Sequence, residues 1–211
     1  MKLIVLLFIS YVLAQDCDGD DCEFVIEEDH TYLTYGSTFK LRHMMTGTRL
    51  HSLLVTYGMG SGQQAVTGLQ DLDDVGSLWT IRCANKKCKS GEVIKNGDQI
   101  ILTHVATKKN LHSHKKLSEI TGQQEVSCFG NDGIGDHGDF WIVESEKGQY
   151  WDLNGYVRLK HSDTNMYLNC NPYAKYGGPV SGQLEITGIA AKTENTKWKA
   201  AEGFYLPASS K

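Results

Sequence analysis

The chain carries its apolar residues in short runs that follow a strand period and never settle into a helical one. Phe39-Lys40-Leu41-Arg42-His43 sets Phe39 and Leu41 against Lys40 and Arg42, and a period of two marks a strand with one face in a core. Ile100-Ile101-Leu102-Thr103-His104 and Val157-Arg158-Leu159-Lys160-His161 open in the same way. Each run is followed by a threonine (Thr46, Thr107, Thr164), then by Leu50-His51-Ser52, Leu111-His112-Ser113 or Leu168-Asn169. The first histidines are spaced 61 and 57 residues apart. Ser61-Gly62-Gln63, Thr121-Gly122-Gln123 and Ser181-Gly182-Gln183 recur at 60 residues, and each unit closes on a tryptophan, Trp79, Trp141 or Trp198.

A period of this length marks copies of one supersecondary unit. About four short strands per unit in three units predict an all-β protein. Three such units close a barrel and cap it with hairpins, which removes exposed sheet edges. The predicted fold is therefore a β-trefoil built from three repeats of about 57–62 residues, occupying residues 32–206 as a single domain. Equivalent residues should line its hub: Leu41, Leu102 and Leu159, then Leu50, Leu111 and Leu168, then the three tryptophans. Tyr35-Gly36, Asn96-Gly97 and Asn154-Gly155 precede the opening strands and predict two-residue hairpin turns with both residues at positive φ.

Composition narrows the function classes. The 211 residues are 40% hydrophobic and 22% charged with a formal net charge of -4, values of an ordinary globular protein. No basic run exceeds a lysine pair, so neither nucleic acid nor an acidic lipid surface is an expected partner. Met1-Lys2, the apolar stretch Leu3 to Leu13, and Ala14 before Gln15 read as a secretory signal peptide over residues 1–14, too short to span a bilayer. Residues 15–31 are expected to be an N-terminal tail and 207–211 a C-terminal one, with no membrane insertion. In an oxidising compartment the six cysteines can pair. Cys83 and Cys88 flank a turn-like segment and predict a local disulfide, and Cys17 with Cys22 is a second candidate pair.

The recurring His43, His104 and His161, each with its threonine, are expected to satisfy backbone groups in their own hairpins. His112-Ser113-His114 with Asp136-His137 offers donor types found in metal sites, yet the expectation is an exposed polar loop, with no metal and no cofactor. Asn131 to Asp136 lacks the terminal Glu of a calcium loop and reads as a turn. No nucleophile elbow, phosphate loop or H-E-x-x-H motif is present, so a binding module is expected and not an enzyme. Ligand- or partner-binding candidates are His51, His112, His114 and Asn169, with Tyr57, Tyr173 and Tyr176 as aromatic platforms for a sugar.

The H-x-x-T-x-x-x-L-H/N core, the S/T-G-Q segment and the closing Trp resemble MIR domains. Leu102 to Thr107, Asn110 to His114, Gly122 to Ser127 and Trp198 to Gly203 resemble, more narrowly, the stromal cell-derived factor two group. The resemblance covers about Tyr32 to Leu206. It implies a β-trefoil non-enzyme of the endoplasmic reticulum, a chaperone cofactor in protein folding and quality control linked to O-mannosylation. Its implied partners are a J-domain co-chaperone and the lumenal heat-shock chaperone. A carbohydrate-binding, lectin-like secreted trefoil is the alternative, with glycans or mannosylated proteins as ligands. The ending Pro207-Ala208-Ser209-Ser210-Lys211 is not a K-D-E-L-like retrieval signal, which leaves endoplasmic reticulum lumen and secretion both open. N-terminal sequencing of the chain made in a eukaryotic secretory host should read from Gln15; a start at Met1 would remove the signal-peptide assignment.

Overall fold

A computed structural model describes residues 31–85 and 87–209; the signal segment, nearly all of the N-terminal tail, Cys17 and Cys22 lie outside them. Twelve strands fall four to a repeat: β1 Thr38–His43, β2 Arg49–Thr56, β3 Gln64–Leu69 and β4 Leu78–Cys83 in the first, β5 Gln99–His104, β6 Asn110–Leu117, β7 Gln124–Phe129 and β8 Trp141–Ser145 in the second, and β9 Val157–His161, β10 Tyr167–Lys175, β11 Leu184–Ile189 and β12 Trp198–Phe204 in the third. Antiparallel pairs β1–β4, β4–β5, β5–β8, β8–β9, β9–β12 and β12–β1 close a six-stranded barrel. The hairpins β2–β3, β6–β7 and β10–β11 cap it, and β3, β7 and β11 pair with one another in a triangle. This is the predicted β-trefoil, and closure leaves its barrel strands paired on both sides. No helix among the described residues is long and apolar enough to cross a membrane.

All nine predicted core residues have no exposed surface. The tryptophans do more than fill volume. Each indole N–H donates to the carbonyl of its own repeat's leucine, Trp79 to Leu50 at 2.8 Å, Trp141 to Leu111 at 2.9 Å and Trp198 to Leu168 at 3.0 Å. A buried indole needs such a partner, and here it ties barrel to cap. The same tryptophans pair across the barrel with the next repeat's histidine: Trp79 with His104, Trp141 with His161, Trp198 with His43, with ring centroids 5.0–5.1 Å apart.

Those histidines close their own hairpins, as expected. Each Nδ1 lies 2.8 Å from the threonine hydroxyl three residues on. Nε2 of His104 donates to Gly76 O and Nε2 of His161 to Gly138 O, both at 2.9 Å. A carbonyl only accepts, so Nε2 holds the proton, Nδ1 accepts from the threonine, and the ring is neutral. In the first repeat Nε2 of His43 is turned toward the corresponding carbonyl, Asn195 O, but has no partner at hydrogen-bond distance among the described residues. The cap adds links between repeats: Gln64 donates to Ser52 and Thr107, and Gln124 to Ser113 and Thr164.

The hairpin-turn expectation is corrected. Gly36 and Gly97 have φ near +90°, but Tyr35, Asn96, Asn154 and Gly155 do not lie at positive φ. Ser37 N–H donates to Thr34 O and Asp98 N–H to Lys95 O, so the glycine is the third residue of a turn in which only it must be left-handed. These turns lead into β1 and β5 from isolated bridge residues, Thr34 with Val93 and Lys95 with Tyr150. They join no pair of strands that bond to each other, so the two-residue hairpin geometry is not required. The Cys83–Cys88 disulfide is present, and Cys128 and Cys170 are buried free thiols.

Burial without a charged partner pushes the His43 imidazole down to about 4, against an ordinary value of about 6.5. Burial also lowers His104 and His161, outweighing the opposing pull of a carbonyl and of Asp74 and Asp163. The unfolded chain therefore binds protons more readily than the folded one. Stability is complete above about pH 6.5 and falls as the pH drops toward 4, with His43 alone contributing a loss of about 3 kcal/mol. Urea midpoints measured from pH 7.5 to 4 should fall steeply, and His43→Gln should flatten the slope. An unchanged slope in that variant would contradict a neutral, buried His43.

Candidate functional site

The repeats are alike in what builds the fold and differ most in chemistry beside β6. On β6, Asn110, His112 and His114 fall on one face, as alternate strand residues must. The preceding-strand equivalents are not matched by a second histidine pair: the corresponding stretch is His51-Ser52-Leu53 in repeat one and Asn169-Cys170-Asn171 in repeat three. Facing His112 is the single-turn 3-10 segment His137–Asp139, whose N-cap Asp136 accepts from Gly138 N–H at 2.8 Å. The turn recurs as Val75–Ser77, capped by Asp74, and as Glu194–Thr196, led by Thr193. Its last residue is a serine and a threonine there and a carboxylate only in repeat two.

Asp139 is buried, and its oxygens meet Asn110 Nδ2 at 2.9 Å and His112 Nδ1 at 3.0 Å. His112 Nε2 lies 3.2 Å from His114 Nδ1, and His114 Nε2 lies 3.1 Å from Glu125. Glu125, buried on β7, also accepts from the backbone N–H of Ser61 at 3.1 Å and from its hydroxyl. Burial works to raise this carboxyl, but hydrogen bonds from His114 and Ser61 outweigh it and hold it below the ordinary carboxylate range. The result is a chain of four side chains, Asp139, His112, His114 and Glu125, running from the barrel edge of repeat two to the cap of repeat one.

The chain borders a cleft of about 640 Å³ between β6 and the β9–β10 turn, with Phe129, Lys115, Asp136 and Asp163 on its walls. Phe129 stacks obliquely on His112 at 4.9 Å and leaves part of its ring in the cleft. Three ligand-type groups converge at the inner end: one atom each of His112, Asp136 and Asp139 lie within 4.8 Å of one another. His137 lines the same cleft but its ring turns to Asp163, 4.0 Å away.

The other sequence candidates are placed differently. The His112–His114 segment is not an exposed loop: it is strand, with His112 only 4% exposed. His51 is buried, bonded to Thr67 at 3.1 Å and 3.7 Å from Asp74, and burial lowers its imidazole. Asn169 is buried and donates to Thr187 at 3.0 Å. Tyr57 and Tyr176 pack with Ala65 and Val180 in a small interior cluster, and the Tyr57 hydroxyl donates to Val126 O at 2.8 Å. Neither offers an open ring face to a sugar; they stand where a third cap carboxylate, matching Glu125 and Glu185, would point, and Ala65 replaces it. Tyr173 projects fully into solvent. Asp139, Glu125 and Phe129 escaped the sequence reading. The one available signal was departure from the repeat, since Asp139 stands where its equivalents are Ser77 and Thr196.

Comparison with known proteins places this architecture. The family model described as the MIR domain matches residues 51–169. A stromal cell-derived factor 2-like protein of Dictyostelium discoideum is 52% identical over 98% of this chain and 99% of its own length. The crystal structure of the SDF2-like protein from Arabidopsis thaliana superimposes with a TM-score of 0.82 at 44% identity, covering 85% of this chain and 99% of that one. A chain of the protein O-mannosyltransferase Pmt1-Pmt2 complex of S. cerevisiae matches at a TM-score of 0.74 and 27% identity, over 85% of this chain and 28% of its own. Three tryptophan-tied repeats in a closed trefoil, together with a match along nearly the whole length, show that the chain belongs to the stromal cell-derived factor 2 family of MIR-domain proteins.

Proposed function

We propose that this chain is a non-enzymatic binding module of the endoplasmic reticulum lumen that acts as a chaperone cofactor in protein folding and quality control, beside a J-domain co-chaperone and the lumenal heat-shock chaperone. The observation that carries the reading is the end-to-end match to a stromal cell-derived factor 2-like protein, with both chains covered almost completely. The chain therefore holds little outside the trefoil that its relative lacks. The chemistry of the interior supports a binding role. His104 and His161 use both ring nitrogens in hairpin hydrogen bonds, and a histidine so engaged has no free nitrogen to serve as a general base. The signal segment at residues 1–14 supports entry to the secretory pathway.

A second reading is carbohydrate binding, as a lectin-like module for mannosylated proteins. It is favoured by the cleft, where Phe129 offers an aromatic face beside the carboxylates of Asp136 and Asp163, the usual means of holding a sugar ring and its hydroxyls. The likeness to part of a complex described as bound to the sugar donor supports the same reading.

Affinity capture of the chain from lumenal extract, read by mass spectrometry, should enrich a J-domain protein and the heat-shock chaperone over a denatured-chain control. Enrichment of neither would overturn the cofactor reading. On a mannose-rich glycan array, binding that Phe129→Ala abolishes would establish the second reading, and a blank array would remove it.

A further inference from the structure

We propose that His112, Asp136 and Asp139 form a binding site for a divalent transition-metal cation of the zinc class, at the inner end of the repeat-two cleft. His112 Nδ1 stands 3.0 Å from Asp139 Oδ1 and 3.6 Å from Asp136 Oδ1. Ligand atoms on a tetrahedral zinc, at bond lengths of about 2.0–2.1 Å, stand roughly 3.3 Å apart. The two histidine-to-carboxylate distances lie on either side of that spacing, and the three donor atoms all fall within 4.8 Å of one another. Asp139 and His112 are buried and Asp136 is half exposed on the cleft wall, so two ligands are preorganised and the third faces the route of entry.

The hydrogen bonds around this spacing leave room for a cation. Three contacts run through the imidazole pair: His112 to Asp139, His112 to His114, and His114 to Glu125. With both carboxylates ionised, each contact requires one N–H from a ring, and two neutral imidazoles hold only two. The His112–Asp139 contact is the one that Asp136 also borders. A metal ion there, bridging Nδ1 and the Asp139 oxygen, removes the need for a third proton. His112 then keeps its proton on Nε2 and donates to His114 Nδ1, and His114 donates from Nε2 to Glu125, which Ser61 holds in turn. Donation of a ligating histidine's other N–H into a carboxylate-terminated chain is the usual support of a metal-bound imidazole. Asn110 Nδ2 on Asp139 and Gly138 N–H on Asp136 fix the two carboxylates in the same way.

One nitrogen and two carboxylate oxygens suit zinc or its borderline neighbours. Magnesium and calcium prefer six or more oxygen ligands and have no use for the imidazole. The other repeats act as internal controls. The corresponding trios are His51, Asp74 and Ser77, and Asn169, Thr193 and Thr196, and neither offers two carboxylates beside an imidazole.

Isothermal titration of the untagged chain with Zn²⁺ alone should show one ion bound per chain, with no heat from Mg²⁺ at the same concentration. Asp136→Asn keeps the turn's capping oxygen and so the fold, and should weaken Zn²⁺ binding at least about tenfold; His114→Gln, one bond removed from the ion, should weaken it by about ten- to a hundredfold. Asp74→Asn, in the matching turn of repeat one, should leave it unchanged. Absence of stoichiometric binding, or Zn²⁺ binding indifferent to both Asp136→Asn and His114→Gln, would overturn the site.

Discussion

The contact on which this molecule depends is the one between each closing tryptophan and the histidine that opens the next repeat. The indole reaches down to a leucine carbonyl of its own repeat and its strand pairs with the neighbour's histidine. The histidine then holds a threonine in its turn and, in two repeats, a carbonyl of the capped turn before the tryptophan. A repeat of this kind cannot bury its apolar face alone. It becomes stable when its last strand finds the first strand of the next copy, and three copies bring the ring back to its start with no free edge. The motif that looks like a run of chemically active histidines is in this way the fastening of the barrel.

Once the fold is held by threefold contacts, departures from threefold identity are free to differ in chemistry. The cap shows this in steps. Glu125 and Glu185 each reach into the preceding repeat's turn, at Ser61 and at Thr121, while Ala65 does not, and the space beside it is filled by Tyr57, Tyr176 and Val180. The turn before each tryptophan changes likewise from Ser77 to Asp139 to Thr196. Only repeat two combines a cap glutamate, a turn aspartate at the last turn position and a pair of histidines two residues apart. The cleft borders these groups.

Burial decides what those groups can do. A carboxylate taken from water must find polar partners, and Asp139 meets Asn110 and His112 while Glu125 meets His114 and Ser61. Because His112 and His114 stand two residues apart on one strand, their side chains leave on the same face and their rings meet edge to face. The two carboxylates are thus joined by a continuous path across a repeat boundary.

The repeat period, the strand alternation and the spacing of His, Thr, Leu and Trp determined the trefoil, its three equivalent core layers and the structural role of His43, His104 and His161 from the sequence alone. They could do so because packing on a threefold axis demands the same residue type at the same interval, which is a one-dimensional record. The Cys83–Cys88 bridge was legible for a similar reason, its partners being close in the chain. Only the tertiary structure decided which carboxylates meet His112, that Tyr57 and Tyr176 turn inward, and that Asn96-Gly97 ends no hairpin. Asp139 and Glu125 are 27 and 11 residues from the histidines they contact, and they meet through turns and cross-strand neighbours belonging to different elements. Such meetings follow from how the strands are laid against each other, and no interval along the chain encodes them.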